Sequence, residues 1–426
     1  VIYADTSMCE GVSKKEAHDR FKKNLYLKLQ GDTGKNLPWG YLTGVRPSKI
    51  AYSMLEAGNS DEEIMSEFEE KHFVSHDKAE LAMQVAKTEK KILEDIDYTN
   101  GYSIYIGIPF CPTTCLYCSF TSYSLAANRS KVDLYLDALV KEMRFVADRM
   151  KGRRLDTVYF GGGTPTTLEP EQLDRLLNEL EADFDMSTVK ELTVEAGRPD
   201  SVTVQKLEVL KKHGVDRISI NPQTMNDKTL EIIGRRHSAT QVEEAFKLAR
   251  SVGFDNINMD IILGLPGEGI NELRYTLDKI KELKPESLTV HSLAIKRAAA
   301  LNIWREKYEN LKFENSDETV SLAQKYAGDI GCMPYYMYRQ KNMAGNLENV
   351  GYSVPGKECI YNILIMEEKQ TIIAMGAGAS TKAVFDADQP GPRIERVENV
   401  KDLTSYISRI DEMIERKRIF FDNNML

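Results

Sequence analysis

From residue 102 to residue 293 the sequence alternates short β-branched runs with longer amphipathic stretches, a rhythm that limits the chain to a parallel-sheet α/β fold. The strand runs fall at 102–108, 157–160, 192–195, 217–221, 256–263 and 287–293. Helical spacing fills the intervals near 131–150, 170–181, 201–213, 226–233, 240–252 and 269–283. Parallel strands with right-handed crossovers follow from that order. Repeated strand–helix units suit an open doubly wound sheet or a partial barrel, and periodicity alone does not choose between them. Residues 1–98 read as a mostly helical accessory domain, with helical spacing near 13–30, 61–71 and 77–97 around a turn-rich connector at 38–47. Residues 99–297 make the core and 298–426 a mixed C-terminal extension. In that extension, 363–366 and 371–374 read as a short antiparallel pair and 403–417 as an amphipathic helix.

Directly after the first strand comes Ile108-Pro109-Phe110-Cys111-Pro112-Thr113-Thr114-Cys115-Leu116-Tyr117-Cys118-Ser119-Phe120. Three thiolates on one short loop can each bind one iron of a cubane, and with no fourth cysteine near, one iron stays open to substrate. A structural zinc site needs a fourth ligand, and no His lies in the loop. The chain's six cysteines, three of them scattered over 426 residues, do not form a secreted disulfide framework. They fit a reducing cytoplasm, and the N-terminus carries no targeting pattern, although it opens on Val1 and points to sequence upstream. The net charge of −9 gives no global basic field for nucleic acid, and no apolar run is long enough to cross a membrane.

Further residues gather at strand ends. Gly161-Gly162-Gly163-Thr164 follows the second strand, where glycine allows close approach of a ligand to backbone. A phosphate loop would carry a Lys that is absent here. Glu195 ends the third strand and can take ribose hydroxyls. Gln223 follows the fourth, Arg235 lies beyond it, and Asp260 sits inside the apolar fifth strand, which is costly unless the carboxylate is bonded. Ligand sites of parallel α/β proteins lie at the C-terminal strand ends, so these positions point to one shared site.

The cysteine loop, with its spacing and its place after a strand, resembles the radical S-adenosylmethionine (SAM) superfamily. The wider set resembles its oxygen-independent coproporphyrinogen III dehydrogenase family. That set comprises Tyr105-x-x-Ile108-Pro109-Phe110-Cys111, Phe160-Gly161-Gly162-Gly163-Thr164-Pro165-Thr166, Val194-Glu195, Gln223, Arg235, Asp260 and Gly264-Leu265-Pro266. The N-terminal extension and Tyr338-Arg339-Gln340-Lys341-Asn342 look most like the HemZ branch. The resemblance implies a partial (β/α)6 barrel, a [4Fe–4S] cluster on Cys111, Cys115 and Cys118, and SAM chelated to the open iron. It implies that Tyr105, Gly162, Gly163, Thr164, Glu195, Gln223, Arg235 and Asp260 hold SAM, with Ile262 and Ala294 along its adenine. The implied reaction uses a 5′-deoxyadenosyl radical to turn two propionates of coproporphyrinogen III into vinyls, with a low-potential electron donor and an electron acceptor as partners.

A tetra-anionic tetrapyrrole needs cations, and Arg236, Lys296, Arg297, Arg339 and Lys341 are the candidates. His291, at the end of the sixth strand, can bind a propionate or ligate haem. His237 reads as a similar but more exposed residue, and Cys332 and Cys359 as packing residues. The chain also departs from the pattern. Phe120 stands where the best-known dehydrogenases have a fourth cysteine, as it does in the haem-chaperone relatives. Tyr361-Asn362 replaces the chaperones' His-Asn pair. The resemblance therefore leaves a haem-inserting chaperone, or a radical enzyme acting on haem, as alternatives to the dehydrogenase.

Overall fold

The computed structural model describes residues 13–44, 46–294, 315–340, 347–385 and 392–424. Four N-terminal helices, α1 (Lys14–Thr33), α2 (Ser48–Glu56), α3 (Asp61–Ser66) and α4 (His76–Leu93), precede the core. Helix α3 is started by a reciprocal cap between Ser60 and Glu63 and ends in a wider π turn at Glu67–Lys71. Helix α2 lies where the turn-rich reading stopped, just past Pro47, which is tolerated at a helix start because it gives up an N–H that has no helical partner there.

The core strands are β1 (Tyr102–Ile108), β2 (Leu155–Gly162), β3 (Glu191–Glu195), β4 (Arg217–Ser219), β5 (Ile257–Leu263) and β6 (Ser287–Ser292). They pair in sequence order and in parallel. Helices α5 (Val132–Arg149), α6 (Pro170–Asp183), α7 (Val204–Lys212), α8 (Asp227–Ile232), α9 (Ala239–Ser251) and α10 (Ile270–Leu283) make the crossovers. This is the expected partial (β/α)6 barrel, left open: the sheet continues on both flanks instead of closing on itself.

The flanks come from the C-terminal part of the chain. Helix α11 (Asp317–Asp329) leads into β7 (Met333–Tyr338) and β8 (Asn349–Ser353), antiparallel additions beside β6. Helix α12 (Ile360–Glu367) leads to β9 (Thr371–Met375), which pairs in parallel with β1. Strands β10 (Ser380–Phe385) and β11 (Arg393–Glu398) complete that edge, followed by α13 (Leu403–Ser408) and α14 (Ile410–Asn424).

Two expectations need correction. Residues 363–366 are helical, not a strand. Glu191 accepts hydrogen bonds from the amides of Ile360 (2.6 Å) and Tyr361 (3.4 Å), which satisfies free donors of the first turn and starts the helix. A short apolar run buried on several sides has no period that tells the two states apart. Strand β9 therefore pairs with β1 and β10, not with 363–366. The expected helix at 403–417 is two helices, broken at Arg409.

The two faces of the parallel sheet differ in chemistry. Ile106, Phe160, Val194, Ile218, Ile261 and Val290 are buried on one face, in one core with Leu139, Leu176 and Leu210 of the helices. The parallel register places Tyr105, Tyr159, Arg217, Glu195, Asp260 and His291 on the other. A shielded sheet face built from polar residues is a working interior rather than a packing surface.

Buried carboxylates fasten the outer segments to this core. Trp39 Nε1 donates to Glu348 Oε2 (2.7 Å) and Lys78 Nζ to Glu348 Oε1 (2.5 Å), tying the N-terminal segment and α4 to the chain just before β8. Glu142 on α5 accepts from Lys417 Nζ (2.5 Å), Tyr406 Oη (2.5 Å), Asn399 Nδ2 (2.8 Å) and the Gly376 amide (2.9 Å). Side-chain exposures of 1% for Lys417 and 0% for Glu142 leave no water to replace either partner. Lys417→Met should therefore cost about 3–5 kcal/mol, read as a lower urea midpoint, because it strands a buried charge. Glu142→Gln added to it should recover part of that loss, and a single variant as stable as the parent would contradict the assignment.

Candidate active site at the strand ends

The cysteine loop leaves the C-terminal end of β1 and is fastened on several sides. The Thr164 amide donates to Phe110 O (2.8 Å), the Leu116 amide to Ile233 O (3.0 Å), and Thr113 Oγ1 to Gly234 O (3.0 Å). Leu116 and Tyr117 pack against a small apolar cluster of Leu230, Ile233, Ile262, Leu265 and Leu293. Cys111, Cys115 and Cys118 all carry free thiols. Among the described residues, no three His, Cys, Asp or Glu side chains converge as ligands of a single ion do. A cubane puts each thiolate on a different iron, so its protein ligands stand further apart than those around one zinc.

Burial pushes the Cys111 thiol up to about 11, against a contact from Thr164 Oγ1 at 3.6 Å that favours the thiolate. Burial also raises Cys118, opposed by the Phe120 amide. Thiolates at such positions need a positive partner, which a bound metal would supply. Two buried arginines stand by. Arg235 donates to Asn221 O (2.6 Å) and Tyr117 Oη (3.3 Å), and Arg198 Nη1 reaches Cys115 Sγ at 3.9 Å.

Gly162 has φ +108, and a Cβ on Gly163 would lie 2.6 Å from Phe110 O and 2.9 Å from Ile108 O. The glycine segment and the cysteine loop thus share one tight junction, which is what fixes glycine at these two positions. Tyr105 Oη lies beside Gly162. Tyr159 Oη donates to Glu195 Oε1 (2.7 Å). Burial raises the Glu195 carboxyl to about 7, with Tyr159 opposing and Asp260 adding to the shift.

Gln223 is a non-glycine residue at φ +66, held there by its amide donating to Asp260 O (2.9 Å) and by the Ile262 amide donating to Gln223 O (3.0 Å). Its Oε1 is buried without a hydrogen-bond partner, as are Thr193 Oγ1, Ser219 Oγ and Asn221 Oδ1. Such orphaned polar atoms around one interior are the mark of a site that takes a polar ligand. Asp260 accepts from Asn258 Nδ2 (2.6 Å) and lies 3.8 Å from His291 Nε2. Burial acts to raise Asp260, but His291 and Asn258 outweigh it and hold the carboxyl below its usual range. Tyr338 Oη is 3.4 Å from His291 Nδ1, and Ala294, partly buried, follows at the end of β6.

The structure therefore brings together the three cysteines, Tyr105, the glycine segment, Glu195, Gln223, Arg235, Asp260, Ile262 and His291 around one edge of the sheet. Other residues differ from expectation. His237 is buried, with a fully covered side chain, not exposed. Arg236 is exposed and lines a cavity of about 730 Å³ together with Thr113 and Thr114. Arg339 is buried, donates to Leu42 O (2.7 Å) and lies over the Trp39 ring, so its charge engages the N-terminal segment. Lys296, Arg297 and Lys341 lie outside the described residues. Sequence reasoning missed Arg198 and Tyr159, and it singled out Tyr361 only as a departure from the chaperones, not as part of an aromatic stack. Tyr159 and Tyr361 stack at 4.5 Å, each 6.2 Å from the Tyr105 ring. The in-register Tyr105 and Tyr159 of neighbouring strands were the available signal.

Comparison with known proteins agrees with this geometry. Residues 105–280 match the Radical SAM superfamily. The "Oxygen-independent coproporphyrinogen-III oxidase-like protein HemZ" of Bacillus subtilis is 42% identical over 414 residues, covering 95% of this chain and 82% of that protein. The "Heme chaperone HemW" of the same organism is 39% identical over 194 residues, 45% of this chain and 50% of that one. The solved coproporphyrinogen III oxidase HemN of Escherichia coli has the same fold, with a TM-score of 0.58 at 22% identity over 76% of this chain and 72% of that one. With open strand ends, a three-cysteine loop and a relative matched over 95% of this chain, the chain belongs to the radical SAM superfamily, in the HemZ-like family of coproporphyrinogen III oxidase relatives.

Proposed function

We propose that this chain holds a [4Fe–4S] cluster on Cys111, Cys115 and Cys118, binds SAM beside it, and oxidatively decarboxylates propionates of coproporphyrinogen III to vinyls. The observation that carries the reading is that likeness to the HemZ relative spans 95% of the chain, reaching far beyond the shared core. The radical chemistry belongs to the cofactors, and the protein orients and shields it. For each propionate, one hydrogen atom leaves the β-carbon, carbon dioxide leaves, and one electron passes to an acceptor.

The chain's own residues have distinct tasks. Gly162, Gly163 and Thr164 offer backbone beside the loop, and Gln223 Oε1 and Arg235 are polar partners for the amino acid end of SAM. Glu195, steadied by Tyr159, accepts from ribose hydroxyls. Asp260 belongs to the same SAM site, while Ile262 and Ala294 flank the adenine. His291 stands where Asp260 and Tyr338 orient its ring toward bound substrate. Arg236 and the cations at 296, 297 and 341 remain the partners proposed for substrate carboxylates.

One observation favours the haem-chaperone reading: Phe120, in the place of the dehydrogenases' fourth cysteine, is 69% exposed. Against it, Tyr361 stands in the place of the chaperones' His, and it is buried and stacked on Tyr159.

An anaerobic reaction with reconstituted protein, coproporphyrinogen III, SAM, a low-potential reductant and an electron acceptor distinguishes the readings. Mass spectrometry should find vinyl products together with 5′-deoxyadenosine. Deoxyadenosine with untouched tetrapyrrole, or haem binding without turnover, overturns the substrate assignment. Glu195 supplies a second expectation. Its raised carboxyl is protonated below about pH 7, and the protonated form loses acceptor capacity. SAM affinity measured by equilibrium dialysis should therefore weaken as pH falls through that value. Glu195→Gln should flatten that part of the dependence, and an identical profile in both proteins would remove Glu195 from the ribose.

A further inference from the structure

Arg198 is a buried cation set against the cysteine loop. Only 3% of it is exposed. Its Nη1 donates to Thr113 Oγ1 (3.0 Å) and Thr113 O (3.3 Å) and points to Cys115 Sγ at 3.9 Å. Its Nε and Nη2 take the two oxygens of Asp200 at 3.0 and 2.9 Å, a bidentate pair. The backbone here is also constrained. Arg198 precedes Pro199, which favours the extended conformation observed (φ −117, ψ 107). Its carbonyl accepts from the Ser201 amide (2.9 Å) and Ser201 Oγ (2.7 Å). Such a guanidinium cannot swing away without abandoning several bonds. The neighbouring His237 adds no charge, because burial holds its pKa down at about 3, and its Nδ1 lies 3.9 Å from Asp200 Oδ1.

We propose that Arg198 is a positioning residue that raises the reduction potential of the cluster by holding a positive charge against Cys115, and that Asp200 aims this guanidinium and moderates its charge. The inference rests on the cluster being bound at Cys111, Cys115 and Cys118. An oxidised cubane held by three thiolates is already anionic, and reduction by one electron adds a second negative charge. A buried cation attracts the reduced form more strongly than the oxidised one, and weak screening enlarges the difference. Charge and N–H···S contacts at the sulfurs are established controls of such potentials. The sign for Asp200 is opposite, since its carboxylate offsets the guanidinium. The chain thereby adjusts how readily its electron donor can reduce the cluster, independently of how SAM is held.

Anaerobic redox titration followed by electron paramagnetic resonance tests this on reconstituted full-length protein, with iron and sulfide counted in each sample. Arg198→Gln should move the midpoint to more negative potential by about tenfold in the reduced-to-oxidised ratio, about 59 mV for one electron. Arg198→Lys, which keeps the charge, should restore part of the shift. Asp200→Asn should move the midpoint the other way. Full clusters with the parent's midpoint in both Arg198→Gln and Asp200→Asn overturn the inference, as does a shift of the same sign in both. If Arg198→Gln takes up no cluster, the decision falls to Arg198→Lys and Asp200→Asn: a midpoint unmoved in Asp200→Asn then overturns it. A parent protein that takes up no iron defeats the cluster reading itself, which separates the two failures.

Discussion

Parallel pairing of β1 with β2 on one side and β9 on the other is the constraint on which the site depends. Parallel strands all end on the same edge, so residues widely separated in sequence arrive together without any contact among their loops. The cysteine loop is the direct continuation of β1. Its neighbours across the register are the glycine segment of β2 and, through β9, the turn at Gly376. There Tyr135 Oη donates to Gly107 O (2.5 Å) and accepts from the Ala377 amide (3.2 Å), fixing the end of β1 from the helix side. A cluster bound there would sit where the backbone is fixed from β2, β9 and α5.

The remaining architecture keeps that edge rigid and its inner face polar. Glu142 on α5, Glu191 in β3 and Glu348 just before β8 are buried acids, and each gathers segments that the sheet alone does not hold. Glu191 in β3 starts α12, which carries Tyr361 onto Tyr159 and so places an aromatic stack beneath Glu195. Buried charges are expensive unless fully bonded, and these are among the best-bonded groups in the molecule. Thr193, Ser219, Asn221 and Gln223, by contrast, carry buried polar atoms without hydrogen-bond partners along the strands that face the proposed ligand.

Much of this was legible in the sequence because local pattern and global fold agree there. The six core strands appear as β-branched runs, and the motif residues sit at their ends, so both the barrel and the strand-end placement could be read directly. Legibility failed where the deciding contact is distant. Residues 363–366 look like a strand until Glu191 supplies the helix start. Arg339 looks like a substrate cation until Trp39 and Leu42 take it. His237 reads in the sequence as more exposed than His291, and only the fold shows it buried near Arg198 and Arg235. Arg198 itself resembles a solvated turn residue before Pro199, and nothing in its neighbours announces Cys115.

The central claim is that three cysteines hold a cubane with one iron open to SAM. The most direct measurement is electron paramagnetic resonance of the dithionite-reduced, reconstituted protein before and after addition of SAM, with metal content determined in parallel. The account predicts about four irons per chain and a cluster signal that changes shape when SAM binds. A signal indifferent to SAM, or stoichiometric zinc in place of iron, would contradict it.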